Sequence, residues 1–146
     1  MKWVTWKTIG VDRMACIWLI RSRIDPAAEF TFIPVGETPL PEHGEAFDIP
    51  GTRYSHHGGH CTFHVLLQMQ NLDDPILKRI AQMVDEADEV QEVTLEPAAP
   101  GLDLICRGLS RISSDDFEAL ERGSLVYDAL YAQLKSDSTP TNPDGK

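Results

Sequence analysis

A chain of 146 residues with 42% apolar and 25% charged side chains has the makeup of a globular protein and the length of one domain able to bury a core without staples. Its formal net charge of −10, with a pI near 4.8, excludes a basic nucleic-acid face and obliges any anionic ligand to find a local positive pocket. Three widely spaced cysteines (Cys16, Cys61, Cys106) do not form a secreted disulfide framework, and no signal peptide or membrane-length apolar run is present, so a reducing cytoplasm and no membrane contact are expected.

In chain order, Trp3 to Thr8 alternates aromatic or β-branched with polar side chains, which predicts a half-buried strand ending at Gly10. Asp12 is placed to cap a helix from Arg13 to about Ile24, with Pro26 as its stop. Arg13 falls in the first turn, where free N–H groups favour an anion, and Arg21 lies roughly 12 Å further along at 1.5 Å per residue. Both are oxyanion candidates. The alternative for Arg21 and Arg23 is a surface pairing with Asp25 or Glu29. Glu29 to Val35 alternates as a second strand, and Gly36 to Glu45 reads as an exposed loop with a solvated His43. Ala46 to Gly51 is a short extended piece closing in a Pro-Gly turn, after which Thr52 to Tyr54 adds a further strand.

That strand leads into Ser55-His56-His57-Gly58-Gly59-His60-Cys61-Thr62-Phe63, which holds three of the five histidines and one cysteine. Imidazole and thiolate bind transition metals and titrate near neutral pH, so the stretch is the leading site candidate. No C-x-x-C or second histidine pair makes it a readable zinc motif, and a polar Gly turn ahead of a helix capped by Cys61-Thr62 is the plain alternative. Asp48 and Glu29 are the carboxylates expected to approach His56.

Phe63, Leu66, Leu67 and Met69 fit a helix ending near Asn71. Asp73 or Asp74, with Pro75 behind it, starts the next, whose inner stripe is Ile76, Leu77, Ile80, Ala81 and Val84. The acidic run Asp85 to Glu89 reads as a solvated helix end. Pro97 to Gly101 breaks the chain before a helix through Leu102, Leu104, Ile105, Cys106, Leu109 and Ile112. Ser113-Ser114-Asp115-Asp116 announces the last helix, with Phe117, Leu120, Leu125, Tyr127, Leu130, Tyr131 and Leu134 apolar and Gly123 as an expected kink. The reading is one α+β domain over residues 1–135, a small antiparallel or mixed sheet from the N-terminal half packed against four to five helices, with residues 136–146 as a disordered tail. It folds alone or as a small oligomer, a homodimer being the simplest.

These motifs, in order, resemble the C-terminal domain of the chromate-resistance regulators. The likeness runs through Asp12-Arg13-x-Ala15-Cys16-x-Trp18-Leu19-Ile20-Arg21, Ile24-Asp25-Pro26, Phe47-Asp48-x-Pro50-Gly51, Ser55-His56, Cys61-Thr62-Phe63, Leu72-Asp73-Asp74-Pro75, Gly108-Leu109-Ser110 and Val126-Tyr127-Asp128-Ala129-Leu130-Tyr131. The resemblance implies a part in sensing or detoxifying chromate, a stand-alone domain without the DNA-facing segment of longer relatives, and recognition of the oxyanion by Arg13, Arg21 and His56 with Cys61 nearby. His57, His60 and Phe117 depart from the family pattern.

Three functions compete. The first is a binding module for a small oxyanion, chromate by resemblance, held by Arg13, Arg21, His56 and Cys61. The second is a metal site of His56, Glu29, Asp48, His60 and Cys61 for a divalent transition metal, zinc or iron, structural or catalytic. The third is a reductase using Cys16 or Cys61 as thiolate. No nucleotide-binding Gly-rich loop, nucleophile elbow or H-E-x-x-H helix assigns a reaction.

Overall fold

The computed structural model describes residues 1–89 and 91–139. Strand β1 (Lys2–Trp6) is followed by helix α1 (Val11–Leu19), which runs on as a π-turn over Ile20–Ile24. Strand β2 (Glu29–Ile33), a single 3-10 turn (Pro41–His43) and the two-residue strand β3 (Glu45–Ala46) complete the N-terminal half. Helices α2 (Thr62–Met69), α3 (Pro75–Asp88), α4 (Ala99–Ile112) and α5 (Asp116–Ser138) follow. The general α+β reading holds.

The sheet corrects the expectation of antiparallel or mixed pairing: its order is β2-β1-β3, and both pairs are parallel. The reason is the crossover. A helix between two strands returns the chain to the edge where it began, so β2 runs alongside β1 rather than against it. Thr52–Tyr54 forms no further strand, contributing only a bridge from Tyr54 to Phe47.

Helix α1 is the centre of the molecule. Every residue in it except Arg13 is buried, the pattern of a helix enclosed on all sides, and it packs against α5, α2, α3 and α4. Trp18 stacks on Phe63 and Tyr127 at 6.5 and 5.8 Å between ring centres, while its Nε1 donates to Asp128 at 2.9 Å. Gly123 lets α5 approach α1: a Cβ there would lie 2.8 Å from Met14 Sδ, so this glycine serves close packing within a continuous α5, not the expected kink. Helix α5 extends through Ser138, taking the first residues of the segment expected to be a disordered tail. Thr139 is the C-cap of that helix, and residues 140–146 lie outside the described residues.

Asp12 does not cap its own helix. Gly10 occupies that position, and the Asp12 carboxylate instead crosses to α2, taking the Thr62 N–H on Oδ2 and the Phe63 N–H on Oδ1, both at 2.9 Å. Cys61 is the N-cap residue of α2 but makes no side-chain cap, and its own N–H donates to Asp85 Oδ1 at 2.8 Å. Two carboxylates from two other helices therefore satisfy the free N–H groups at this helix start. Asp85 is 1% exposed, so the acidic run is a solvated helix end only in part: its first carboxylate is buried, while Asp88 is exposed.

Candidate functional site

In open parallel sheets ligands gather beyond the carboxyl ends of strands where the chain turns to opposite sides, here between β1 and β3. Asp12 follows β1 and Asp48 follows β3. Asp48 adopts φ +53°, a left-handed conformation that aspartate tolerates better than most residues and that is common at working sites. Its Oδ1 accepts from Thr62 Oγ1 at 2.7 Å, and its main-chain oxygen accepts from Arg13 Nη2 at 3.0 Å. Arg13 Nε lies 3.0 Å from Asp48 Oδ2, an ion pair, yet is buried and misaligned for a hydrogen bond.

His56 is the hub. Its Nε2 lies 3.1 Å from Asp12 Oδ2, 3.2 Å from Asp48 Oδ1 and 3.3 Å from Asp88 Oδ2, while Nδ1 contacts Glu89 Oε1. One N–H cannot satisfy three carboxylates. Hydrogen bonds to Asp12 and then Asp48 push the imidazole pKa up to about 11, so at neutral pH the ring is an imidazolium whose Nε2 proton sits among three acidic groups. Burial, then the charges of Asp12 and Asp48, push Asp88 up to about 7, and burial with Asp48's charge raises Asp12. Four carboxylates face one guanidinium and one imidazolium, leaving a surplus of negative charge. A cleft of about 450 Å³ opens beside them, walled by Trp6, Arg13, Pro50, His57 and Asp88.

Of the residues expected from sequence, the structure brings together Arg13, Asp48 and His56. The others lie elsewhere. Arg21 points to α5, pairing with Glu121 at 2.6 Å on the surface. Glu29 stands opposite Lys2 at the start of β2, at the N-terminal edge of the sheet. His60 turns to Asp85 and His64 instead of His56. Cys61 is wholly buried, and burial with the charges of Asp12 and Asp85 raises its thiol pKa well above normal. Cys16 is likewise buried with a raised pKa and lies 3.6 Å from Asp12 Oδ1. Neither cysteine is an exposed thiolate, which removes the physical basis of the reductase reading.

Sequence reasoning missed Asp12 as a site ligand, and it missed Asp88, Glu89 and His64. A signal existed for Asp85: the steps 77, 81, 85 continue the apolar stripe of α3, and Asp85 is buried with it, whereas Asp88 comes at the exposed end of the same helix. His60 and His64 are four apart, although His60 precedes the helix.

Residues 3–134 match the family described as ChrB, C-terminal domain. A curated relative, Protein ChrB of Cupriavidus metallidurans, is 33% identical over 136 residues, covering 92% of this chain and 41% of the relative's length. No solved structure matches the chain. No helix among the described residues is long and apolar enough to cross a membrane.

Proposed function

The chain belongs to the ChrB C-terminal domain family, and from that premise we propose that it serves chromate resistance as a divalent-cation-binding domain centred on Asp12, Asp48 and His56. The observation that carries this is the set of three carboxylate oxygens 3.1–3.3 Å from His56 Nε2. Ligands held at metal bonds of about 2.0–2.1 Å and angles near 100° stand about 3.2 Å apart, so these spans suit a cation in place of the Nε2 proton. Asp12, Asp48 and His56 are the compact triad, with Asp88 on the cleft side. Glu89, receiving Nδ1–H, acts from behind the ring to keep Nε2 turned inward, the carboxylate–histidine–metal arrangement. One imidazole among carboxylates suits manganese, iron(II) or zinc.

The same charge balance argues against direct capture of a dianion by Arg13 and His56. Arg13 is already paired with Asp48, and the imidazolium is surrounded by acids. A bound dication reverses the local sign. In this reading chromate meets the centre from the cleft, beside Arg13 and His57, only once the cation is present.

The test is elemental analysis of untagged protein, loaded and dialysed, beside His56→Ala, followed by titration of each form with chromate and with sulfate. Metal lost in His56→Ala, with chromate binding confined to loaded protein, is expected. Chromate binding to metal-free protein at full affinity would overturn the cation reading and restore the Arg13/His56 oxyanion pocket.

A further inference from the structure

On the other side of the α2 start lies a second group of ligating side chains that the His56 centre does not use. We infer that His60, His64 and Asp85 form a separate transition-metal site that takes an imidazole-preferring dication such as zinc. Asp85 Oδ2 lies 2.9 Å from His60 Nδ1 and 2.8 Å from His64 Nδ1, and the two rings are 3.8 Å apart between centres. Metal ligands at bonds of about 2.0–2.1 Å and right angles stand about 2.9 Å apart, so both spans match ligands of one ion. Asp85, His60 and His64 make a compact three-atom set in which each residue offers one ligand.

Each member is held by rigid structure, as a metal site requires. Asp85 is fixed on α3 by its other oxygen, which receives the Cys61 N–H. His64 is in the first turn of α2. His60 closes a two-residue hairpin with His57, whose paired N–H···O bonds measure 3.0 and 3.3 Å. The two turn residues, Gly58 and Gly59, have φ of +59° and +79°, the left-handed pair that this kind of turn demands. The site is also reachable: the Asp85 side chain is 2% exposed, but those of His64 and His60 are 21% and 40% exposed. Two imidazoles and one carboxylate favour zinc, cobalt or nickel, whereas the one-imidazole, carboxylate-rich His56 centre accommodates manganese.

This inference does not rest on the His56 reading, and the test separates them. Untagged full-length protein, stripped with a chelator, is titrated with zinc alone as wild type, His56→Ala, His64→Gln and the double variant. We expect His56→Ala to keep one equivalent, His64→Gln to lose at least tenfold in affinity for that equivalent, and the double variant to bind none. Wild-type stoichiometry and affinity in His64→Gln would overturn the second site while leaving the first intact. As a check independent of variant folding, nitrogen-15 NMR of wild-type imidazoles during zinc titration should shift the ring resonances of His60 and His64. Resonances of this pair that stay in place at zinc saturation, with Asp85 merely hydrogen-bonding both rings, would also overturn it.

Discussion

Asp12 and Asp85 are buried carboxylates on different helices that serve the same helix end, yet their surroundings push them in opposite directions. Asp12 takes two N–H groups of α2, but burial and the charge of Asp48 still raise its pKa. Burial pulls Asp85 up too, but hydrogen bonds from His64, Cys61 and His60 outweigh it and hold the group at about 2. Burial alone does not decide. What faces the carboxylate does: Asp12 looks at other acids across one imidazolium, Asp85 at two imidazoles and a backbone N–H. On one side of the α2 start four carboxylates share one guanidinium and one imidazolium, and on the other a single carboxylate lies between two imidazole donors, so negative charge is crowded at the first and not at the second.

The sharpest way to break that contrast is to remove one negative charge from each side. Asp12→Asn keeps the shape but turns an NH₂ toward Thr62 N–H or Phe63 N–H, since both oxygens now accept from backbone. A buried donor left facing a donor costs about 1–3 kcal/mol, and we expect the upper end, about 3 kcal/mol, in denaturant unfolding together with loss of metal at His56. Asp85→Asn should be milder, about 1–2 kcal/mol: its oxygen can still accept from Cys61, and neutral imidazoles at His60 and His64 can accept from the new NH₂ by changing tautomer. Equal losses in the two variants would sink the distinction.

The two sides should also separate by pH in metal-free protein. His56, raised from 6.5 to about 11, contributes stability fully present below pH 6.5 and lost as pH climbs through 11. Asp88, raised from 3.8 to about 7, has the same sign: its contribution is complete below 3.8 and fades as pH rises through 7. Asp85 runs the other way, with its contribution present above 3.8 and lost as pH falls through 2. A shift of that size is worth about 2 kcal/mol at 1.36 kcal/mol per pKa unit. Melting curves between pH 4 and 2 should therefore show wild type losing its advantage over Asp85→Asn, while His56→Ala should converge with wild type only on the alkaline side.

How much of this was legible in sequence follows the range of the interactions. Local signals held: α2 starts at Thr62, the cap expected at Asp73 or Asp74 ahead of Pro75 is Asp74, and the last helix begins within Ser113 to Asp116, where the Asp115 side chain accepts from Glu118 N–H. Strand direction depends on the crossover, and although strand, helix and strand stood in that order, pairing itself is not a local property. Asp12 was legible as a cap residue but not as the cap of a helix 50 residues away. Arg21 lies eight residues beyond Arg13, about 12 Å along the helix, and that distance carries it out of the His56 cleft to Glu121 of α5. Asp48 and His56 could be paired from sequence because a short segment joins them. Asp88 and Glu89, more than thirty residues from His56 and at the end of another helix, could not.

The smallest test concerns Thr62, which bonds to two of the four acids on the His56 side, Asp12 and Asp48. Its N–H serves Asp12 and its hydroxyl donates to Asp48 Oδ1 at 2.7 Å. Thr62→Val keeps the first bond and the side-chain volume while deleting the second, so Asp48 loses a donor and its charge bears harder on Asp12. A hydrogen bond to a charged group is worth about 1.5–3 kcal/mol, and because Asp48 keeps Arg13 and some solvent we expect about 1 kcal/mol at pH 7. That loss should shrink on acidification, as the acids around His56 take up protons, and the zinc affinity of the His60/His64/Asp85 group should not move. A loss that stays constant with pH would mean that Thr62 acts through packing alone, and that the charge crowding around Asp12 is not what distinguishes it from Asp85.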